Sequence, residues 1–318
     1  MAATKTTRRN DPKRQRSSES RYSLMEFEAE FPDDSACMDF LVTKLYPEGI
    51  HCPRCERVTK HHRIKARTAY SCQFCGHHEY PLKGTIFEGS STSLRLWFYA
   101  MYLMASTRCG ISAKQLEREV GVSYPTAWRM FRQIRSMLTQ DGNPLSGTVE
   151  MDETFIGGKP RAGDIRTRKD IRTFTENKAK VLGAVERGGR VHAQVVPSRK
   201  ASTIVPIAKA RVLPASTIYT DELKSYRQLG REGYTHQRIN HSERVYVHGD
   251  VHTQTIEGFW ALLKNGLTGV YHSVSTEYLQ SYLDEYAFRY NNRAITGRRG
   301  MFDAFLSRIE KASPQTAS

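Results

Sequence analysis

The apolar positions divide the chain into stretches of different period. Between Ser23 and Ile50, Phe40, Leu41, Leu45 and Tyr46 recur at helical spacing until Pro47-Glu48-Gly49 breaks the pattern. From Ser93 to Leu138 the period is again helical. Its opening run, SLRLWFYAMYLMAS, suits a buried helix and is too short to span a bilayer. Asp-Gly, Asn-Pro and Ser-Gly pairs between Thr139 and Gly147 mark a linker. Beyond it the period shortens. TVEMDETFIGG reads as a strand, and KAKVLGAVERGGRVHAQVVPS as two strands joined at Arg187–Arg190. ASTIVPIAKARV reads as a helix, STIYTDELKSY as a strand running into a helix, and Thr255 to Glu310 as mainly helical. No segment repeats at a solenoid period.

These changes of pattern set the expected organisation. A basic arm (1–22) precedes a helical lead-in with a cysteine-bearing unit (23–90) and a helical unit (91–140). An α/β unit (146–300) follows, and then a helix end and tail (301–318). At 318 residues the chain has room for two or three compact units, and 39% hydrophobic residues support a folded core. Lys and Arg outnumber Asp and Glu by 48 to 33, a net charge of +15. Such an excess is costly in self-repulsion unless an anionic partner relieves it, and nucleic acid is the usual one. The arm itself carries seven Lys or Arg against two acids without an apolar period, which suits disorder and non-specific phosphate contact. No membrane-spanning run and no apolar signal core follow the first Met. The expectation is a cytoplasmic protein, on the nucleoid when bound to DNA, with no membrane partner.

Four of the six cysteines form two pairs, Cys52-Pro-Arg-Cys55 and Cys72-Gln-Phe-Cys75, separated by sixteen residues. Two such knuckles at this spacing are the signature of a zinc ribbon: each turn offers two thiolates, and together they close one tetrahedral site. The implied Zn²⁺ is structural, because four sulfurs leave no open position. Gly76 suits the bend after the second pair. His51, His61, His62, His77 and His78 are not needed as ligands. Lone Cys37 and Cys109 read as core.

Ile111 to Leu138 contains two short helices around Gly121 and resembles a helix-turn-helix. Ser112 and Ser123 stand at the cap positions, with Pro125 in the second helix's first turn. Ala127, Phe131, Ile134 and Leu138 form the core stripe. That leaves Arg129, Arg132 and Arg135 on the surface as candidate DNA contacts.

The candidate chemistry is carboxylate. Asp152 and Asp221 each close an apolar-alternating strand, where a carboxylate projects into a cleft instead of a core. Alternation sends Glu153 and Glu222 to the opposite face from the aspartate beside each, whereas Glu150 shares the face of Asp152 and competes with it. Downstream, Ile256, Phe259, Trp260, Leu263 and Leu267 form one stripe of a helix over Thr255–Gly266. Glu257 lies about 100° from the stripe's centre and Lys264 about 80°, so both stand on one edge, two turns apart. Gln254 and Ala261 share that side. The gap is too long for an ordinary i,i+4 ion pair. Two strand aspartates and a helix glutamate can instead hold two hard divalent cations, the arrangement for in-line displacement at phosphorus. Lys264 is then free to hold a phosphate.

With CPRC…CQFC, EMDETFIGGK, TDELKSY, HTQTIEGFWALLKNGLTGVYH and EYAFRYNNR in place, the chain resembles the DDE transposases of bacterial insertion sequences. The resemblance is to their zinc-ribbon-containing, ISXO2-like group, related to the Merlin elements, and spans residues 50 to 295. It implies a multidomain α/β protein: N-terminal zinc ribbon, helix-turn-helix and an RNase H-like catalytic domain with a mixed sheet. It also implies Asp152, Asp221 and Glu257 as ligands of two Mg²⁺ (or Mn²⁺) and Lys264 as the accompanying basic residue, with Gln254 the alternative to Glu257. The implied reaction cuts the element's end and joins the freed 3′-hydroxyl to target DNA. The implied partners are terminal inverted repeats, target duplex and a second copy of the chain, in a dimer or larger assembly. His252 and His272 flank the helix, and Tyr286, Arg289, Asn291, Asn292 and Arg293 form a polar edge that phosphate could meet. Two other readings use the same features: a zinc-ribbon and helix-turn-helix DNA-binding regulator, and a domesticated RNase H-like nuclease without strand transfer. A regulator has no need of three carboxylates around one cleft.

Overall fold

The computed structural model describes residues 22–64, 67–157, 178–239 and 252–311. Most of the basic arm and the end of the tail lie outside the described residues. Tyr22, assigned above to the arm, belongs to the fold: it is 8% exposed and stacks on Phe302 at 5.7 Å.

The N-terminal part packs helices around a cysteine-bearing ribbon. Helices α1 (Leu24–Glu30) and α2 (Asp34–Leu45) are started by the side chains of Ser23 and Asp33, each accepting a backbone N–H. The ribbon follows as a hairpin, β1 (His51–Cys52) with β2 (Arg57–Val58), and a three-stranded antiparallel sheet of β3 (His61–Ile64), β4 (Ala69–Cys72) and β5 (His78–Glu79). The apolar run forms α3 (Leu94–Ser106), then α4 (Ala113–Val120) and α5 (Tyr124–Ser136). Gly121 ends α4 in the left-handed conformation at φ 73°, the turn between the two helices. Ser112 caps α4 as expected. Ser123 does not cap α5: its hydroxyl pairs with that of Thr126 at 3.0 Å instead.

The C-terminal part is a five-stranded mixed sheet. In chain order its strands are β6 (Thr148–Ile156), β7 (Ala179–Glu186), β8 (Val191–Val196), β9 (Thr217–Thr220) and β10 (Thr235–Arg238). The spatial order is β10-β9-β6-β7-β8. Strands β6, β7 and β8 form an antiparallel meander, and β9 lies parallel to β6 on its other side, with β10 parallel to β9. This is the RNase H-like arrangement. Helix α6 (Ala201–Arg211) carries the chain from β8 to β9 and packs on one face with a 3₁₀ helix, Lys224–Glu232. Helices α7 (Gln254–Gly266) and α8 (Leu279–Asn291) cover the other. The expected stripe of α7 is the buried one: Ile256, Phe259 and Leu263 are 0% exposed.

The two parts are not separate bodies. Helix α9 (Met301–Ser307), read above as a helix end, is a helix of its own that inserts Phe302 and Phe305 into the N-terminal core beside Phe27, Phe31 and Tyr102. Residues of α8 face both cores, because Phe288 joins the N-terminal one. Part of the polar edge suggested for phosphate contact faces inward, whereas Asn291 and Asn292 are half-buried and Arg293 is exposed. Tyr286 and Arg289 are buried, their side chains donating to the Cys109 carbonyl and to those of Thr107 and Met104. Asn291 pairs both ways with the Val191 backbone. Asn292 and Arg293 bond to carbonyls of Phe288, Gly189 and Tyr290.

Candidate active site

The zinc site follows from two like turns. In each, the residue after the second cysteine turns back with positive φ, 56° at Glu56 and 71° at Gly76. Each donates its N–H to the first cysteine's carbonyl, at 2.8 and 3.0 Å. All four sulfurs lie within 4.8 Å of one another, with Cys52 and Cys75 3.5 Å apart and Cys55 and Cys72 3.9 Å apart. A tetrahedral site with Zn–S bonds of about 2.3 Å needs sulfurs about 3.8 Å apart, so the four fit Zn²⁺. The Thr59 hydroxyl, 3.2 Å from the Cys72 sulfur, and nearby backbone N–H groups push that thiol down to about 5, towards the thiolate a metal takes.

The acidic residues meet at a gap in the large sheet. Asp152 is not at a strand end, as expected, but in the middle of β6, paired opposite Gly183 of β7. What ends there is the neighbour. The β6–β9 ladder stops at Glu150↔Tyr219, and continuing its register by two residues brings Asp221 alongside Asp152. The missing length of β9 opens the sheet there. The alternation that sends Glu153 to the other face holds at the backbone: Glu153 points towards Tyr226, on the α6 side. Its carboxylate is nonetheless within 4.8 Å of those of Asp152 and Asp221, which corrects the expectation. With no strand among the described residues paired to the β9 side of β6 at this level, the longer side chain reaches the gap that Asp152 enters from the α7 side.

Each carboxylate is held. Trp260 of α7 donates its indole N–H to Asp152 Oδ2 at 2.9 Å. Asp221 Oδ1 accepts the Leu223 N–H at 3.0 Å. Burial pushes Asp152 up to about 6; the Trp260 bond opposes this, and the carboxylates of Asp221 and Glu257 add to it. Burial likewise raises Glu153 to about 7 against the Tyr226 bond, with Asp221 and Asp152 adding repulsion. Buried carboxylates that repel one another suit a hard divalent cation, which takes oxygen ligands.

Glu257 and Lys264 lie exposed on α7, on the edge expected of them. Glu257 is near enough to act on Asp152 electrostatically but is not within the 4.8 Å set, and it accepts the Thr253 hydroxyl at 3.1 Å. Gln254 is exposed one turn earlier. Glu150, the competitor of Asp152, has another task. Fully buried, it accepts the N–H groups of Thr255 and Ile256 at 2.8 and 3.0 Å, the Thr255 hydroxyl, and Arg187 Nε at 2.8 Å. It ties the start of α7 to the sheet. His252 packs beside it, Nδ1 3.3 Å from Glu150 Oε1, and His272 is exposed.

On α5 the three candidate arginines differ. Arg132 is exposed, over the Trp128 and Tyr278 rings. Arg129 is half-buried, reaching Ser90 and Thr92. Arg135 is 4% exposed and paired with Glu285 at 2.7 Å, so it is not on the surface as expected. It flanks the core stripe, and α8 packs over that flank.

Sequence reasoning did not single out Glu153, Tyr226 or the hydrogen bond of Trp260. The signals were faint: a second acid after Asp152, a tyrosine five residues after Asp221, and an indole N–H that needs an acceptor when buried.

The chain thus joins a mixed sheet with acidic residues at an internal gap to a four-cysteine ribbon. Residues 144–291 match the ISXO2-like transposase domain, and residues 32–78 the transposase zinc-ribbon domain. An uncharacterized protein in transposable element ISH50 of Halobacterium salinarum is 30% identical over 273 residues, 81% of this chain and 91% of that one. An uncharacterized transposase-like protein of Haemophilus influenzae is 33% identical over 106 residues, 33% of this chain and 85% of that one. The chain belongs to the ISXO2-like transposase family. Among solved structures, a simian T-cell lymphotropic virus intasome bound to PP2A regulatory subunit B56 gamma overlaps at a TM-score of 0.31 and 13% identity, over 65% of this chain and 76% of that one. A pre-cleavage Mos1 transpososome overlaps at 0.28 and 13%, over 62% and 70%. These overlaps are too loose to bear on function.

Proposed function

We propose that the protein is the DNA transposase of an insertion sequence, cutting the element's ends and joining the freed 3′-hydroxyl to target DNA. The meeting of Asp152 and Asp221 at the gap beyond β9, with Glu257 on the helix above, carries this reading. Asp152 and Asp221 present ligand oxygens, and Glu257 adds a carboxylate from the helix side. These groups would hold magnesium or manganese, which when bound would supply Lewis acidity for in-line displacement at phosphorus. Trp260 fixes the orientation of Asp152. Lys264, two turns along the same edge, holds a neighbouring phosphate by charge. Arg132 and Arg129 on α5, with the basic arm, hold duplex DNA, consistent with the excess of positive charge. Bridging two element ends calls for at least a dimer, working in the cytoplasm on the nucleoid.

The test is incubation with element-end DNA, target DNA and Mg²⁺. Wild type is expected to cut and join, and Asp152→Ala, Asp221→Ala and Glu257→Ala to lose both steps while still binding the ends. Cutting and joining at wild-type rates by all three variants would overturn the assignment.

A further inference from the structure

Glu153 has no task in that scheme, yet it is the best prepared ligand at the gap. Its side chain is 4% exposed. Fully buried Tyr226 donates its hydroxyl to Oε2 at 2.6 Å, which fixes the plane of the carboxylate. Among the described residues, Oε1 has no hydrogen-bond donor. The Arg199 guanidinium stands 3.8 Å from it, outside hydrogen-bond reach, on a side chain 43% exposed and lying over the Phe155 ring. Carboxylate oxygens of Asp152, Glu153 and Asp221 all come within 4.8 Å of one another. A buried oxygen without a donor is costly, and three converging carboxylates repel; a hard divalent cation, which binds several oxygens at once, relieves both. Glu257 differs on each count: it is exposed, outside that set, and already bonded to Thr253.

We infer that Asp152, Glu153 and Asp221 form one divalent-cation site built from β6 and the residue just past β9, with Tyr226 as its positioning residue, and that Glu257 serves a second cation. This rests on the reading of the gap as the metal centre.

Mn²⁺ titration of the full-length, zinc-loaded protein without DNA, followed by the free-ion electron paramagnetic resonance signal, reads the site independently of turnover. Glu153→Gln keeps the Tyr226 bond and is expected to weaken the tighter Mn²⁺ site at least about tenfold, as Asp221→Asn does, because a charged oxygen ligand is lost. Tyr226→Phe is expected to weaken it about tenfold through the loss of the bond that orients Glu153. Glu257→Gln is expected to leave it within about twofold, since its carboxylate lies outside the set. Melting without added Mn²⁺ checks the fold. Should Glu153→Gln shift it, Glu153→Asp carries the same test, because it keeps the charge and shortens the reach. Wild-type affinity in the Glu153 variant, with Asp152→Asn and Asp221→Asn defective, overturns the inference alone. Wild-type affinity in all three overturns the metal centre beneath it.

Discussion

Arg135 of α5 donates Nε to Glu285 of α8 at 2.7 Å, and both side chains are 5% exposed or less. Glu285 also accepts Arg289, which reaches on to carbonyls at the end of α3. One buried carboxylate thus joins α5 to the sheet-covering helix. Removing Arg135 leaves Glu285 with Arg289 as its remaining partner, so Arg135→Ala is expected to cost about 3 kcal/mol in urea unfolding, the low end for a broken buried pair. Replacing both partners by apolar residues, as in Arg135→Met with Glu285→Leu, costs less than Arg135→Ala alone, though Arg289 then needs a new acceptor. Arg132→Ala is expected to stay within about 0.5 kcal/mol of wild type and to weaken DNA binding. Equal stability loss at both arginines would contradict the burial difference.

The same carboxylate gives a pH signature. Burial alone would raise Glu285, but Arg135 and Arg289 overcome it and hold the group below its ordinary value of 4.5. A depressed native value means that its stabilisation is complete above about pH 4.5 and is lost as pH falls through the native value. Urea midpoints measured between about pH 3 and 6 should fall more steeply on the acid side in wild type than in Glu285→Gln. Parallel curves would show that Glu285 does not carry the acid limb.

Zinc removal should act locally. The ribbon strands are only two to four residues long, too short to hold themselves, and the four sulfurs are their common anchor. Chelation, or Cys72→Ser, is expected to remove hydrogen-exchange protection from residues 51–80 and weaken DNA binding. Protection of β6–β9 should remain. Collapse of both regions together would make the metal a global determinant.

Glu150 predicts a fault in the helix, not in the metal. Its carboxylate serves the Thr255 and Ile256 N–H groups, the Thr255 hydroxyl and Arg187. Glu150→Ala strands these donors, at about 1–3 kcal/mol for each that water cannot reach. It also frees the first turn of α7, where Glu257 sits. DNA cleavage should fall while Mn²⁺ affinity at Asp152 and Asp221 persists. Loss of both in a folded variant would place Glu150 among the ligands.

Much of this was legible in the sequence. The two knuckles fixed a four-sulfur site by spacing alone, because each turn is local. The stripe Ile256–Leu263 gave the buried face of α7 because 3.6-residue periodicity survives any packing partner. Contacts set by distant elements were not legible. Arg135 sits on a flank that only α8 covers. Glu153 obeys strand alternation, yet reaches the shared gap because β9 stops early, and a strand's neighbour is invisible in its own residues. Glu150 and Asp152 share one face of β6, but only the arrival of α7 assigns one to its backbone and the other to the gap.

Gly183 is where that arrival is most exposed to a small change. It stands opposite Asp152 on β7, and a Cβ there would lie 2.6 Å from the Trp260 ring and 3.0 Å from Ile256. The absent side chain is what lets the indole lie across the strand and donate to Asp152. Both obstacles belong to a packed core stripe, and the ring is rigid, so the methyl of Gly183→Ala must push α7 away or turn Trp260 off its acceptor. Overpacking of this kind costs about 1–3 kcal/mol. It also removes the bond that orients the first aspartate, so cleavage should fall further than the loss of stability explains. Trp260→Phe separates the two effects: it deletes the N–H but leaves most of the packing, and should lower cleavage with a smaller change in melting. If Gly183→Ala matches wild type in both melting and cleavage, the close fit of Trp260 over the strand does not govern Asp152.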